Sequence, residues 1–172
     1  MFDRLIDILR DCFEFFVPCV VVDQFERGVL LRFGVFKRKV GPGFKFIWPF
    51  KIDQVLTDNI VPRLKALYTQ NLTTADGKNI VIGAVVTAEI EDIEKAILEV
   101  EGVDDALVDS CMGVVGRMVA ESTWDQVRDE GFANKVAIVC RRNAKQWGVN
   151  VIRVQFADLA LCRVYRLHSD KN

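Results

Sequence analysis

The chain has 172 residues, 51% of them hydrophobic and 27% charged. That balance excludes a disordered polypeptide and provides enough apolar material for one ordinary domain or two small lobes. The formal net charge of −1 gives no global reason for a nucleic-acid partner, which favours a basic surface.

Residues 1–17 read as an amphipathic helix. Phe2, Leu5, Leu9, Phe13 and Phe16 recur at i, i+3/i+4 spacing, and Asp3, Arg4, Asp7, Arg10, Asp11 and Glu14 fill the other face. Pro18 ends it, because a residue before proline avoids the helical region. The charge-free run from Phe15 to Val22 is far shorter than the ~20 apolar residues that cross a bilayer. No small-residue cleavage site follows, so it is not a secretory signal. Two placements fit this helix: in the membrane interface with its phenylalanines among the acyl chains, or packed on protein. Its acid-rich polar face gives no electrostatic attraction to anionic lipid.

From Val20 the pattern is β. Val20-Val21-Val22 and Val29 to Gly34 read as a hairpin about a turn at Glu26-Arg27-Gly28. Gly41-Pro42-Gly43 breaks the chain, Phe44 to Trp48 alternates, and further strands are expected over 54–58 and, more weakly, 63–68. Asp76-Gly77 suits a hairpin turn with positive φ. After it Ile80, Ile82, Ala84, Val86, Ala88 and Ile90 share one parity, with Val81, Val85 and Thr87 on the other, so both faces of a long strand are covered in part. Beyond Asp92 the period becomes 3.6: Ile93 to Val100, then Val103 to Met118. Another helix is capped by Thr123 with Gln126, and one runs along Phe132, Val136, Cys140 and Trp147. Gly148 occupies a C-cap position. A last strand sets Ile152, Val154 and Phe156 on one face and Val149, Val151 and Arg153 on the other, and is expected to pair back into a sheet. The fold class is α+β, organised as an N-terminal amphipathic membrane-associating helix (1–19), a β-rich half (20–92) and a helical half with a final strand (93–172).

Candidates for chemistry are few. The five cysteines at 12, 19, 111, 140 and 162 contain no C-x-x-C pair, and His168 is the single histidine, so neither metal-ligand spacing nor a nucleophile–base pair is offered. All five cysteines read as reduced, which suits a cytoplasmic setting, with Cys111 and Cys140 on apolar helix faces as core residues. Gly41-Pro42-Gly43 lacks the Gly-Lys-Ser/Thr ending of a phosphate loop. No enzyme, cofactor or metal is expected.

Charge is unevenly spread. Arg27 to Lys65 carries nine basic residues against two acidic, a net of +7, while Glu89 to Asp109 carries nine acidic against one basic, a net of −8. Lys37, Arg38 and Lys39 read as a basic patch facing lipid phosphates or an acidic lobe of another protomer. Trp48 and Phe50, with Phe46 and the flanking Lys45 and Lys51, read as a second membrane contact, since tryptophan favours the interface.

Glu26-Arg27-Gly28-Val29 with Arg32-Phe33-Gly34, Gly41-Pro42-Gly43-Phe44, Thr74-x-Asp76-Gly77-x-x-Ile80-x-Ile82 and Trp147-Gly148-Val149-x-Val151 occur in an order and spacing that resembles the SPFH (stomatin/prohibitin/flotillin, or band 7) domain over about residues 20–165. The resemblance implies a membrane-attached, homo-oligomeric, non-enzymatic scaffold. Such proteins form rings or cages that organise membrane or regulate membrane proteases and channels, and no catalytic residues carry over. The family's usual coiled-coil continuation is not matched, since no sustained heptads occur. The alternative is a soluble adaptor whose N-terminal helix docks on a protein partner, a longer SPFH relative or a membrane-protease client. Membrane lipid is the expected partner, on the cytoplasmic face, and nucleic acid is not.

Overall fold

The computed structural model describes residues 19–50 and 52–162. The helix expected over 1–17, with Phe2, Leu5, Leu9, Phe13 and Phe16, lies outside the described residues, as does His168. The architecture is α+β: a β-rich first half, then helices and a final strand. Contacts divide the chain into two compact units that interleave in sequence. Unit 1 holds residues through Val61 together with Ile90–Val100, and unit 2 holds Pro62–Glu89 and the residues from Glu101 on.

Unit 1 contains β1 (Cys19–Val22), β2 (Glu26–Arg32), β3 (Val35–Val40), β4 (Gly43–Phe46), β5 (Asp53–Asn59) and helix α1 (Ile93–Leu98). β1 pairs antiparallel with β4, with Cys19 opposite Phe46 and Val22 opposite Gly43. A separate three-stranded sheet has the order β3-β2-β5. The expected hairpin between Val20–Val22 and the second strand is therefore replaced by two other pairings. The residues read as its turn, Glu26-Arg27-Gly28, lie inside β2. Gly28 serves a different need there: a Cβ on it would meet the Leu56 carbonyl oxygen at 2.4 Å, so β2 and β5 approach this closely only with glycine in place. The β2–β3 turn is Phe33-Gly34, both at positive φ (52° and 76°), the backbone pattern of a type I′ hairpin turn. The core gathers Val22, Leu30 and Val40, with Val20, Ile47 and Val55 against it. Helix α1 packs on β2 and β5, starting from Asp92, whose carboxylate accepts the Glu94 N–H at 3.2 Å.

Unit 2 contains β6 (Arg63–Ala66), β7 (Gln70–Thr73), nearly all of β8 (Asn79–Ile90), helices α2 (Val103–Ala120), α3 (Trp124–Val127) and α4 (Glu130–Ala144), and β9 (Val149–Leu161). β8 lies between β6 and β7 and also pairs with β9, so the final strand returns to the sheet as expected. The parity read along β8 holds: Ile80, Ile82, Ala84, Val86, Ala88 and Ile90 are buried, and Val81, Val85 and Thr87 are half-buried. The Asp76-Gly77 turn joins β7 to β8, with Gly77 at φ 75°. Asp76 also reaches the start of α3, where its Oδ1 accepts the Trp124 N–H at 3.1 Å. α3 begins at Thr123, whose N–H donates to Gln126 Oε1 at 3.0 Å. Gly148 takes the left-handed C-cap conformation, φ 68°.

β9 departs from simple alternation. Val149, Val151 and Val154 are buried, while Ile152 and Arg153 are exposed in succession. Arg141 on α4 donates to the carbonyls of both Val151 (2.6 Å) and Ile152 (2.9 Å). Adjacent carbonyls of a regular strand point to opposite sides, so one guanidinium reaching both marks a local break in the pleat. Ile152 is turned outward, not inward with Val154 as alternation suggests.

Candidate membrane-contact site

The β2–β3 pairing shifts by one between Leu30 and Leu31: Leu30 lies opposite Arg38 and Leu31 opposite Phe36. Lys37 is the extra residue of a β-bulge. Regular pleating sends consecutive side chains to opposite faces, whereas a bulge re-aims them. Lys37 and Arg38 thus both line one cleft of about 610 Å³ in unit 1, together with Arg32, Phe46, Trp48 and Asp53.

Asp53 organises the floor of this cleft. Its side chain is 1% exposed and accepts a two-pronged bond from Arg32, Nε to Oδ1 at 2.7 Å and Nη2 to Oδ2 at 3.0 Å. Oδ2 also accepts the Trp48 N–H at 3.1 Å. The Arg32 guanidinium, with the Trp48 N–H and the charge of Arg38 beside it, holds the Asp53 carboxyl below its ordinary range against the opposing effect of burial. Arg32 sits 6.0 Å from the Trp48 ring centroid, within cation–π reach. One acid thereby balances Arg32 and fixes the backbone that carries Trp48. Lys37 and Arg38 are exposed, and among the described residues neither enters an ion pair.

The rim is aromatic and open to solvent. Phe46 is 75% exposed, Trp48 60% and Phe50 54%, with Phe33 at the neighbouring hairpin tip 76% exposed. The Phe33 N–H donates to the Ile52 carbonyl at 2.9 Å, so this tip borders the turn that holds Trp48 and Phe50. Phe33 and Phe50 both have positive φ, 52° and 62°, which L-residues adopt at a cost. Phe46 contacts Phe44 edge-on, with ring centroids 5.1 Å apart. Cys19, at the start of β1, pairs with Phe46 at this same rim.

Lys39 behaves differently from its neighbours. Its Nζ lies 2.6 Å from Asp92 Oδ1 and 3.4 Å from Glu94 Oε2, which raises its pKa, Asp92 contributing most. In unit 2, Arg63 and Lys65 meet Asp104 at 3.2 and 2.7 Å. Part of the basic and acidic segments is therefore matched within the chain.

The family model for the SPFH domain / Band 7 family matches residues 20–167. The chain belongs to this family. An uncharacterized protein of Methanocaldococcus jannaschii is 28% identical over 142 residues, 81% of this chain and 71% of that protein. A putative band 7 family protein of Acanthamoeba polyphaga mimivirus is 21% identical, covering 85% of this chain and 48% of its own length. Protein HflK of Vibrio cholerae is 30% identical over 118 residues, 68% of this chain but 29% of its own length. The chain thus spans about half of the viral relative and under a third of HflK.

Within this SPFH domain, the described residues among those singled out from sequence separate. Trp48 lines the cleft with Lys37 and Arg38, Phe50 is exposed two residues beyond Trp48, and Lys39 is bound into the contact with Asp92 and Glu94. Sequence reasoning missed Asp53 and the role of Arg32. The available signal was that Asp53 is one of two acids in a window of nine bases. Among the described residues no helix is long and apolar enough to cross a membrane, and no group of three or more His, Cys, Asp or Glu side chains is placed to hold a metal.

Proposed function

We propose that this SPFH protein is a non-enzymatic, membrane-associated scaffold on the cytoplasmic face of a membrane. It self-assembles into a ring- or cage-like oligomer that organises membrane or regulates membrane proteins. The observation that carries membrane contact is the solvent-open aromatic rim of Phe33, Phe46, Trp48 and Phe50, placed where residues 1–18 join β1. Rigid aromatic side chains beside cations favour the interfacial zone of a bilayer. An apolar N-terminal face leading out of the same rim would add to it.

Assembly draws on fewer charges than the raw sequence suggests. Lys39, Arg63 and Lys65 already have acidic partners in their own chain. With Lys37 and Arg38 turned to the cleft, contact between protomers draws on Lys45 against the exposed Glu99, Glu101, Asp105 and Asp109, and on apolar surface.

A second reading is an adaptor that binds a longer SPFH relative or a membrane-protease client. It is favoured by β6, an edge strand whose Leu64 is 64% exposed, with Tyr68 just beyond it 73% exposed. Such an edge accepts an added strand from a partner.

Flotation with phosphatidylcholine vesicles separates the two. Under the scaffold reading the full chain floats, and a variant lacking residues 1–17 or carrying Trp48→Ala and Phe50→Ala floats markedly less. If the full chain stays at the bottom of the gradient, the membrane reading fails and the adaptor reading stands.

A further inference from the structure

The β-bulge at Lys37 has no evident role in pairing β2 with β3. Its effect is to set two consecutive cations, Lys37 and Arg38, on one side of the strand, facing a cleft whose other cation, Arg32, is already balanced by Asp53. Among the described residues neither Lys37 nor Arg38 has an ion-pair partner of its own, and both lie beside exposed Phe46 and Trp48. Bulges that re-aim side chains are common at binding sites, and Arg offers a planar fork that suits phosphate oxygens.

We propose that this cleft binds the phosphate headgroup of an anionic phospholipid, with Lys37 and Arg38 as the phosphate-contacting residues and Trp48 and Phe46 lying at the headgroup–acyl boundary. The proposal rests on the membrane-contact reading above and specifies its ligand. Charge complementarity selects an anion, and the apolar rim selects a lipid-borne phosphate over a free one. A soluble phosphate gives 60–75% exposed aromatic rings nothing to contact. Arg32 and Asp53 act as positioning residues: they hold the Trp48 backbone and keep the cleft floor neutral, so the net attraction comes from the bulge.

Affinity of the full chain for vesicles of pure phosphatidylcholine and of 3:1 phosphatidylcholine:phosphatidylglycerol, followed by flotation and tryptophan fluorescence, tests this. Each cation near an anionic surface contributes about fivefold in affinity. Lys37→Ala/Arg38→Ala is therefore expected to lose roughly 25-fold on the mixed vesicles, falling toward the level on phosphatidylcholine. Lys37→Arg/Arg38→Lys, which keeps the charge, is expected to retain at least a third of wild-type affinity, and Trp48→Phe to lose most of the spectral shift. Equal wild-type binding to both vesicles, or wild-type affinity in the double alanine variant, overturns the headgroup assignment while leaving membrane association intact. Failure to bind either vesicle overturns both. A Trp48 response to millimolar inorganic phosphate that vesicles do not reproduce overturns the lipid source.

Discussion

Lys39 Nζ and Asp92 Oδ1 lie 2.6 Å apart although 53 residues separate them in sequence. The contact ties β3 to the cap of α1, because the same Asp92 oxygen accepts the Glu94 N–H. Asp92→Ala removes a helix cap and an ion-pair partner together, and is expected to cost about 1–2 kcal/mol. Asp92→Asn keeps a capping oxygen and is expected to cost less than half as much. Urea unfolding at low salt measures both, and equal costs would show that capping is not what the position supplies.

The Asp53 cluster predicts an acid dependence. The Asp53 carboxyl is held below its ordinary value chiefly by Arg32, so the folded state binds its proton less readily than the unfolded chain. The stability this contributes is complete above the ordinary carboxylate pKa of about 4 and is lost as pH falls below it. Asp53→Asn leaves one prong of the Arg32 contact and removes the charge. It is expected to cost about 1–3 kcal/mol at pH 7 and to flatten the decline between pH 5 and 3. A variant curve parallel to wild type through that range would contradict the assignment.

Asp76 predicts a second acid transition. The Thr74 hydroxyl, at 2.5 Å, then Lys78 and the Trp124 N–H, hold its carboxyl at about 2. Its contribution is therefore retained at pH 5, falls from about pH 4 and is lost near pH 2. Asp76→Asn should remove that component and weaken the β7–β8 turn's hold on α3. Amide exchange at Trp124 reads the effect locally, and unchanged protection there would count against it.

Gly28 and Gly41 form a matched pair. A Cβ at Gly28 meets the Leu56 carbonyl oxygen at 2.4 Å, whereas one at Gly41 meets nothing within 4 Å. Gly28→Ala is expected to lose about 1–3 kcal/mol through strain between β2 and β5, and Gly41→Ala to stay within about 0.5 kcal/mol of wild type. Thermal melts of the two variants decide it; similar melting points would refute the close-approach role.

Cys111 and Cys140 are each 1% exposed. The Cys140 side chain and burial push the Cys111 thiol well above the ordinary range. Both are expected to resist an aromatic disulfide reagent in the native protein and to react on unfolding. Mass mapping after brief labelling checks this, and early modification of either would mean that α2 and α4 open readily.

What could be read from sequence follows periodicity. β8 spans many residues with one buried parity, and α2 and α4 repeat their apolar positions for several turns, so period and burial agree over lengths that average out exceptions. The Asp76-Gly77 turn was legible because positive φ restricts residue type. Phe33-Gly34 was not, because a phenylalanine at positive φ runs against that restriction. β3 escaped notice because Lys37-Arg38-Lys39 has no apolar alternation and the bulge breaks the pleat inside it. Strand partners are not written in alternation either, so Val20–Val22 was paired with its neighbour in sequence, not with β4. The basic run read as one patch, whereas the bulge sends Lys37 and Arg38 to the cleft and Lys39 to Asp92. That division depends on a helix 53 residues away.

The claim that this SPFH protein is a self-assembling scaffold is tested most directly by particle mass. The full chain, expressed at low level, extracted from membranes in mild detergent and measured by mass photometry, is predicted to give closed, uniform particles many times the 19.5 kDa protomer. A monomer or dimer at every concentration and salt level would contradict it.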